Sequence, residues 1–158
     1  MQVSTLSTEQ LIQAAIEAFW GAIPPVWNRI KANTRSITEE NYDISVEQFH
    51  ILQHIRKGLT SVSELAQVKQ ISRSAISQAV NVLVERGLVC RLQNARDRRN
   101  IPLELTGSGN QLLDAISEKN RSWMKNQMAS LSTQDLNTLT CAMEILAKTF
   151  DKPLDNSK

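Results

Sequence analysis

The stretch SVSELAQVKQISRSAISQAVNVLVERG, from Ser61 to Gly87, contains two short helical patterns separated by a few polar residues. The first predicts a helix over about residues 62–68. The second predicts a helix over about 73–86, with Ser72 as its N-terminal cap. Gly87 stands where a C-terminal cap belongs. Two helices joined by so short a turn predict a helix-turn-helix unit.

The second of these helices divides into an apolar and a polar face. Its apolar residues recur at helical spacing and should face the core: Ile76, Ala79, Val80 and Leu83. Its other side begins at the cap and carries no acid before Glu85: Ser72, Arg73, Ser74, Ser77, Gln78 and Asn81. Arginine can recognise guanine, glutamine can recognise adenine, and serine can bond to bases or phosphates. A merely solvated face would more often carry Glu-Lys pairs, so this face predicts contact with DNA.

After Gly87 the pattern becomes extended. LVCRL (88–92) and RNIPLEL (99–105) predict two strands, with NARDRRN (94–100) at the turn between them. Pro102 should confine its strand to an edge. A turn so rich in arginine cannot enter a core, because buried guanidinium groups need partners. It must therefore lie in water or against something negative.

The flanking sequence predicts further helices, and serine caps mark several of their starts. They cover about residues 8–21, 24–37, 46–57, 107–129 and 133–150, with a break or sharp kink at Pro24-Pro25 and a cap at Thr106. The predicted fold is mainly α with a small β-hairpin wing. Within one compact domain, residues 1–44 and 107–158 should be dimerisation helices around a winged helix-turn-helix unit at 45–106.

Charge is concentrated in the middle of the chain. Residues 56–104 contain nine Lys or Arg against four Asp or Glu, a net charge of +5, whereas the whole chain carries only +2. This surplus predicts a polyanionic partner for that segment. The absence of a signal-like N-terminus or a long apolar run, and two cysteines in no metal or redox spacing, predict a cytoplasmic protein without membrane association.

Two pieces of the sequence resemble the MarR family of bacterial transcription regulators: LAQVKQISRSAISQAVNVLVERGLVCR (65–91) and DRRNIPLELTGSG (97–109). The second matches the family's wing signature at Asp97, Arg99, Leu103, Leu105, Thr106 and Gly109. The resemblance covers residues 45–131 well and the flanking helices more loosely. It implies a homodimeric repressor that binds a pseudo-palindromic operator in double-stranded DNA.

The same resemblance gives the arginine-rich turn a role. It implies that the tip of the wing lies along the minor groove, where Arg99 inserts into the enhanced negative potential. Arg96 and Arg98 would contact phosphates and position the protein. Asp97 would orient an arginine, because an unpaired acid near phosphates is repelled. Its partner could be either Arg99 or Arg73.

The three tryptophans, Trp20, Trp27 and Trp123, lie outside the DNA-contacting unit. Large aromatic side chains there suit a subunit interface, with filling of a monomer's own core as the alternative. Many members of the family release DNA when a small aromatic ligand binds. Candidate residues for such an effector are Trp20, Trp27, Phe49 and His50, which could equally be ordinary core residues.

Other sites have less support. Glu47, His50 and His54 share a helix face that could bind zinc, but no further Cys or His completes the site, so we expect no metal or cofactor. Cys90 beside Arg91 could be a reactive thiol, although a buried or idle thiol is the simpler interpretation, and Cys141 should be a small core residue. No catalytic motif is present, so the sequence predicts no enzyme.

Two competing functions use the same fold. An architectural DNA-binding protein would use the same charges with little discrimination between sequences. A protein-interaction module would not need DNA at all, and charge reversal at Arg99 would leave its function unchanged.

Overall fold

The computed structural model of the chain describes residues 7–92 and 101–151. These residues form six α-helices and two short β-strands, in the order α1 (Thr8–Tyr42), α2 (Val46–Arg56), α3 (Val62–Lys69), α4 (Arg73–Glu85), β1 (Val89–Arg91), β2 (Leu103–Leu105), α5 (Gly107–Met128) and α6 (Thr133–Phe150). The predicted fold class, mainly α-helical with a small hairpin, is confirmed. None of the helices in the described residues is long and apolar enough to cross a membrane.

Serine residues begin the helices as the sequence predicts. Four helices begin with a capping box, in which two residues three positions apart bond to each other. The serine hydroxyl accepts a hydrogen bond from the backbone N–H of the later residue, and the side chain of that residue accepts one from the serine N–H. The four serines are Ser7, Ser45, Ser61 and Ser132. Ser72 caps α4 more simply, its hydroxyl accepting from the Ala75 N–H at 3.2 Å. These bonds satisfy N–H groups that have no partner inside the helix, and so they fix where each helix starts.

Helix α1 continues through Pro24 and Pro25, so the prediction of two separate helices over 8–21 and 24–37 is wrong. A proline ring fixes φ near −65°, which lies in the helical range, and each proline removes one N–H donor. The carbonyls that lose their partners belong to Trp20 and Gly21, four residues earlier. Both residues are exposed, so water can satisfy these carbonyls.

The C-terminal half of α1 is bound to α5 and extends beyond its predicted end at residue 37. Asn33 Nδ2 donates to Asn120 Oδ1 at 2.9 Å, and Lys119 Nζ donates to Asn41 Oδ1 at 3.0 Å. These bonds join side chains some 80 residues apart in sequence. They favour continuation of the helix beyond the end that the local sequence predicted.

Residues 1–120 and 121–158 form two compact units, so the chain divides inside α5. The predicted division into dimerisation and DNA-binding segments is functional and stays a prediction. The core of the first unit is one cluster of buried aliphatic and aromatic side chains. Its fully buried members include Ile44, Ile51, Leu52, Leu65, Ile76, Val80, Leu83, Val89, Leu103, Leu113 and Ile116.

The two strands pair antiparallel, with Val89 opposite Leu105 and Arg91 opposite Leu103. The hairpin is attached to the helices through its backbone. Leu103 N–H donates to the carbonyl of Thr60 just before α3, at 2.7 Å. This bond holds the base of the hairpin against the helix-turn-helix unit.

Helix α6, in the second unit, has no buried residue within the described chain. Its large apolar side chains include Met143, Ile145 and Phe150, which are 45%, 64% and 69% exposed. Cys141 is exposed as well, so its prediction as a core residue is wrong for a single chain. The sequence predicted α6 as a helix, but local spacing could not show whether the same chain covers its apolar side chains.

Candidate nucleic-acid interface

A tight turn joins α3 to α4. Gln70 adopts the left-handed conformation, with φ of 54°. The Gln70 N–H donates to the carbonyl of Gln67 and the Ile71 N–H to that of Ala66, at 3.3 and 3.2 Å. These bonds satisfy the last carbonyls of α3 and reverse the chain within a few residues. The predicted helix-turn-helix unit is thereby present.

Helix α4 presents the two faces that its sequence predicts. Ile76, Val80 and Leu83 have no exposed surface, and Ala79 is half-buried. The opposite face is open to solvent: Ser72, Arg73, Ser74, Gln78 and Asn81 are exposed, and Ser77 is half-buried. No acidic residue occurs in the first turn of α4. The exposed face therefore offers several hydrogen-bonding groups and one positive charge, but no nearby carboxylate of its own to repel a polyanion.

A left-handed glycine connects α4 to the hairpin. Gly87 has φ of 67°, its N–H donates to the carbonyl of Val84, and the Leu88 N–H donates to that of Leu83, both at 2.9 Å. This is the Schellman arrangement, in which a glycine permits the turn at low conformational cost. Because Leu88 and Leu83 are both buried, β1 starts directly beside the end of α4.

One residue at this surface was missed by the sequence analysis. Arg91, exposed at the end of β1, donates from Nη2 to Oδ1 of Asn81 on α4 at 2.5 Å. The signal was present, since Arg91 follows buried Val89 by two positions and so lies on the helix-facing side of the strand. The base of the wing and the polar face of α4 thus form one continuous surface.

The tip of the wing lies outside the described residues. The roles of Arg96, Asp97, Arg98 and Arg99 therefore stay predictions. The described chain on both sides of the tip is close together, since the Leu92 N–H donates to the carbonyl of Pro102 at 3.0 Å. With only two strands in this sheet, the strand that follows Pro102 is an edge strand, as predicted.

The three residues considered for zinc lie near a positive charge. Lys69 Nζ lies 3.1 Å from Oε2 of Glu47, which joins α3 to α2. Burial first, and the Lys69 charge second, lower the pKa of both His50 and His54, against the opposing effect of Glu47. Among the described residues, no three His, Cys, Asp or Glu side chains are grouped to hold a metal ion.

The four effector candidates occupy different environments. Phe49 is 4% exposed and belongs to the core, with its ring centroid 5.8 Å from that of half-buried His50. Trp20 and Trp27, on α1, are 67% and 56% exposed. They do not fill the core of this chain, contrary to the alternative considered for them.

Two grooves, of about 750 and 450 Å³, are lined by α6 residues and Met128, and none of the four candidates lines either groove.

Comparison with known sequences identifies the central part of the chain. A sequence model described as the MarR family matches residues 42–100. YpoP of Bacillus subtilis, an HTH-type transcriptional regulator, is 26% identical over 115 residues, covering 72% of this chain and 80% of YpoP. The transcriptional repressor MdtR of the same organism is also 26% identical, over 98 residues, which is 61% of this chain and 63% of MdtR.

Solved structures share the fold. A MarR family protein from Bacillus stearothermophilus has a TM-score of 0.73 at 22% identity, covering 93% of this chain and all of that protein. FabT of Streptococcus pneumoniae, solved in complex with DNA, has a TM-score of 0.65 at 15% identity, with 89% and 97% covered. The relatives are transcription regulators, in agreement with the prediction that the chain is not an enzyme. Family match, relatives and fold agree: residues 42–100 match the MarR family of transcription regulators, and the chain shares the fold of a solved MarR family protein.

Proposed function

We propose that the chain is a cytoplasmic homodimer that binds a pseudo-palindromic operator in double-stranded DNA and represses transcription. The observation that carries this proposal is the exposed polar face of α4, which is free of acids in its first turn and joined to the base of the wing through Arg91 and Asn81. A helix of this kind in a helix-turn-helix unit enters the major groove.

The predicted residues of α4 and of the wing then have different roles in binding. Arg73 and Gln78, exposed on α4, contact base edges, while the exposed serines of the helix contact bases or phosphates. In the wing, Arg96 and Arg98 neutralise phosphates, and Arg99 enters the minor groove with Asp97 orienting an arginine. The solved complex of FabT with DNA supports the use of this fold for DNA binding.

Exposed apolar side chains support the homodimer. On α1 they include Leu11, Ile12, Ile16, Trp20, Val26 and Trp27, and on α6 they include Leu136, Met143, Ile145 and Phe150. Exposed patches of this kind mark interaction sites, and homodimer interfaces are more apolar than the remaining surface. A two-fold dimer places its two α4 helices on half-sites about one helical turn apart.

Repression and its release are the regulatory part of the proposal. The similarity to MdtR, which is a transcriptional repressor, supports repression rather than activation. For release, a small aromatic effector would contact Trp20, Trp27, Phe49 and His50, of which the two tryptophans are accessible in the single chain. Loss of DNA binding on addition of phenolic compounds would identify the class of effector.

The test is a fluorescence-anisotropy titration against the DNA upstream of the chain's own gene and against a scrambled duplex of equal length. Both are run at two salt concentrations, because phosphate contacts make affinity depend on salt. We expect preference for the first duplex by about a thousandfold. Equal, salt-sensitive binding to both would favour an architectural DNA-binding protein. Absence of binding to either at low salt would contradict DNA binding.

A further inference from the structure

The contact between Arg91 and Asn81 constrains the chemistry of the polar face of α4. A guanidinium group has only donors, so the atom of Asn81 that faces Arg91 at 2.5 Å must be the amide oxygen Oδ1. The amide nitrogen of Asn81 then points away from Arg91 with its two N–H donors. Since Asn81 lies one turn beyond Gln78 and Ser77 on the exposed side of α4, these donors lie on the surface proposed to meet DNA.

This orientation matters for base recognition. An asparagine recognises adenine with two hydrogen bonds, accepting from the adenine amino group through Oδ1 and donating to N7 through Nδ2. Arg91 takes one of the two lone pairs of Oδ1 and turns this oxygen toward the strand, so Asn81 presents mainly its Nδ2 donors to the DNA and loses the paired geometry that adenine requires. Guanine presents two acceptors, O6 and N7, at the same edge, and it suits a side chain that only donates.

The strand geometry explains why Arg91 can hold this position. Arg91 lies opposite Leu103 in the hairpin, on the same face as buried Val89, and this face packs toward α4. Arg91 is the last residue of β1 on that face, and it extends beyond the core, where an apolar side chain would be exposed. A long polar side chain there can reach the exposed side of α4.

We infer that Arg91 is a positioning residue that orients Asn81 as a hydrogen-bond donor, so that the protein prefers guanine to adenine at one position of each half-site. This inference rests on the proposed function. It assigns specificity to a residue of the wing base that need not touch a base itself.

The experiment begins with selection of bound duplexes from a random pool by the wild type, Arg91→Ala and Arg91→Lys. We expect the wild type to select guanine at the base position that Asn81 contacts in each half-site. Arg91→Ala should accept adenine there, because Oδ1 is released, and Arg91→Lys, which keeps a charged donor, should restore the preference for guanine. A wild type that selects adenine opposite Asn81, or an Arg91→Ala variant with an unchanged preference, would overturn the inference.

A double-mutant cycle on the selected duplex then tests the coupling. Arg91→Ala and Asn81→Ala should each weaken binding about tenfold, and the double variant about tenfold rather than a hundredfold. Additive losses would overturn the inference. The slope of affinity against salt should be unchanged in Arg91→Ala, and a slope reduced by one phosphate contact would instead make Arg91 a phosphate ligand.

Two controls separate folding and function from the inference. Both side chains are exposed, so the thermal melting temperatures of the variants should equal that of the wild type. If the wild type selects no sequence at all, the proposed function fails and this inference falls with it. If the wild type selects a sequence and the variants match it in affinity and preference, only the inference fails.

Discussion

Gly109 lies where the first turn of α5 meets the base of the hairpin. A Cβ atom at this position would lie 2.1 Å from the backbone oxygen of Leu88, far inside van der Waals contact. The same oxygen accepts a hydrogen bond from the Thr106 N–H at 3.1 Å, and the Thr106 hydroxyl accepts from the Gly109 N–H at 3.0 Å. The glycine is therefore required by close packing of two backbones.

We expect Gly109→Ala to lower the free energy of unfolding by about 2–3 kcal/mol, because a backbone oxygen cannot move aside as a side chain does. Gly107→Ala is the matched control, since a Cβ there meets no atom within 4 Å. Urea unfolding of both variants measures the difference. Equal stability of the two variants would contradict the packing argument.

His50 and His54 make stability depend on pH. Burial is the largest cause that lowers the pKa of each histidine, and the charge of Lys69 is the second. The charge of Lys57 also lowers the pKa of His54, whereas the charge of Glu47 raises the pKa of both histidines. Below their ordinary pKa of about 6.5 the unfolded chain therefore binds more protons than the folded chain. The contribution of the two histidines to stability is fully present above pH 6.5. It is lost as the pH falls from 6.5 toward their lower pKa values in the folded chain.

The thermal melting temperature should accordingly fall between pH 7.5 and pH 5.5. The double variant His50→Gln, His54→Gln should lose most of this dependence. The capping carboxyls Glu64 and Asp135, whose pKa values are lowered mainly by hydrogen bonds from Ser61 and Ser132, act only at lower pH. An unaltered pH profile in the double variant would show that other groups titrate in this window.

At the scale of the element, the C-terminus of α1 is stabilised from outside. Its last turn contains no basic residue, although carbonyl groups there carry partial negative charge. Arg86, the C-cap residue of α4, donates from Nη2 to the carbonyl of Tyr42 at 3.0 Å and from Nη1 to that of Asp43. One arginine thus links the ends of α1 and α4.

We expect Arg86→Ala to lower the free energy of unfolding by about 1–2 kcal/mol, because charged donors to two carbonyls are lost. Arg35→Ala is a suitable control. It removes an exposed ion pair with Glu39 at 3.9 Å, which should contribute less than about 0.5 kcal/mol. Chemical unfolding measures the free energy of unfolding of both variants. If Arg86→Ala and Arg35→Ala lower it equally, Arg86 contributes no more than an exposed surface charge.

At the scale of the whole molecule, the chain leaves much apolar surface uncovered. Ile12 and Ile16, one turn apart on α1, are 56% and 46% exposed. A second copy of the chain would remove such surface from water, which stabilises association by about 25 cal/mol for each Å². The proposed homodimer therefore depends on these side chains.

Ile16→Glu should shift the protein from dimer to monomer, because a carboxylate in an apolar interface would be desolvated without a partner. Ala18→Glu, at an exposed position about 200° around the helix from Ile16, adds the same charge and should leave the dimer intact. Sedimentation velocity gives the mass of each variant. A wild-type protein that sediments as a monomer would contradict the homodimer directly.

Local sequence predicted the parts of the fold that depend on neighbouring residues. The capping serines and the two faces of α4 were correct, because a cap joins residues three apart and a helix repeats every 3.6 residues. The exposed candidates on α4 follow from that same periodicity. The resemblance of the wing signature added the family, although the tip itself lies outside the described residues.

Tertiary structure decided what depends on distant residues. The continuity of α1 beyond residue 37, the contact of Arg91 with Asn81 and the need for a glycine at 109 each involve a second segment of the chain. No local pattern specifies such a partner. The sequence alone thus determined the helix-turn-helix unit, the helix caps and the two faces of α4, whereas the tertiary structure decided the length of α1 and which groups meet, because only folding brings remote atoms within bonding distance.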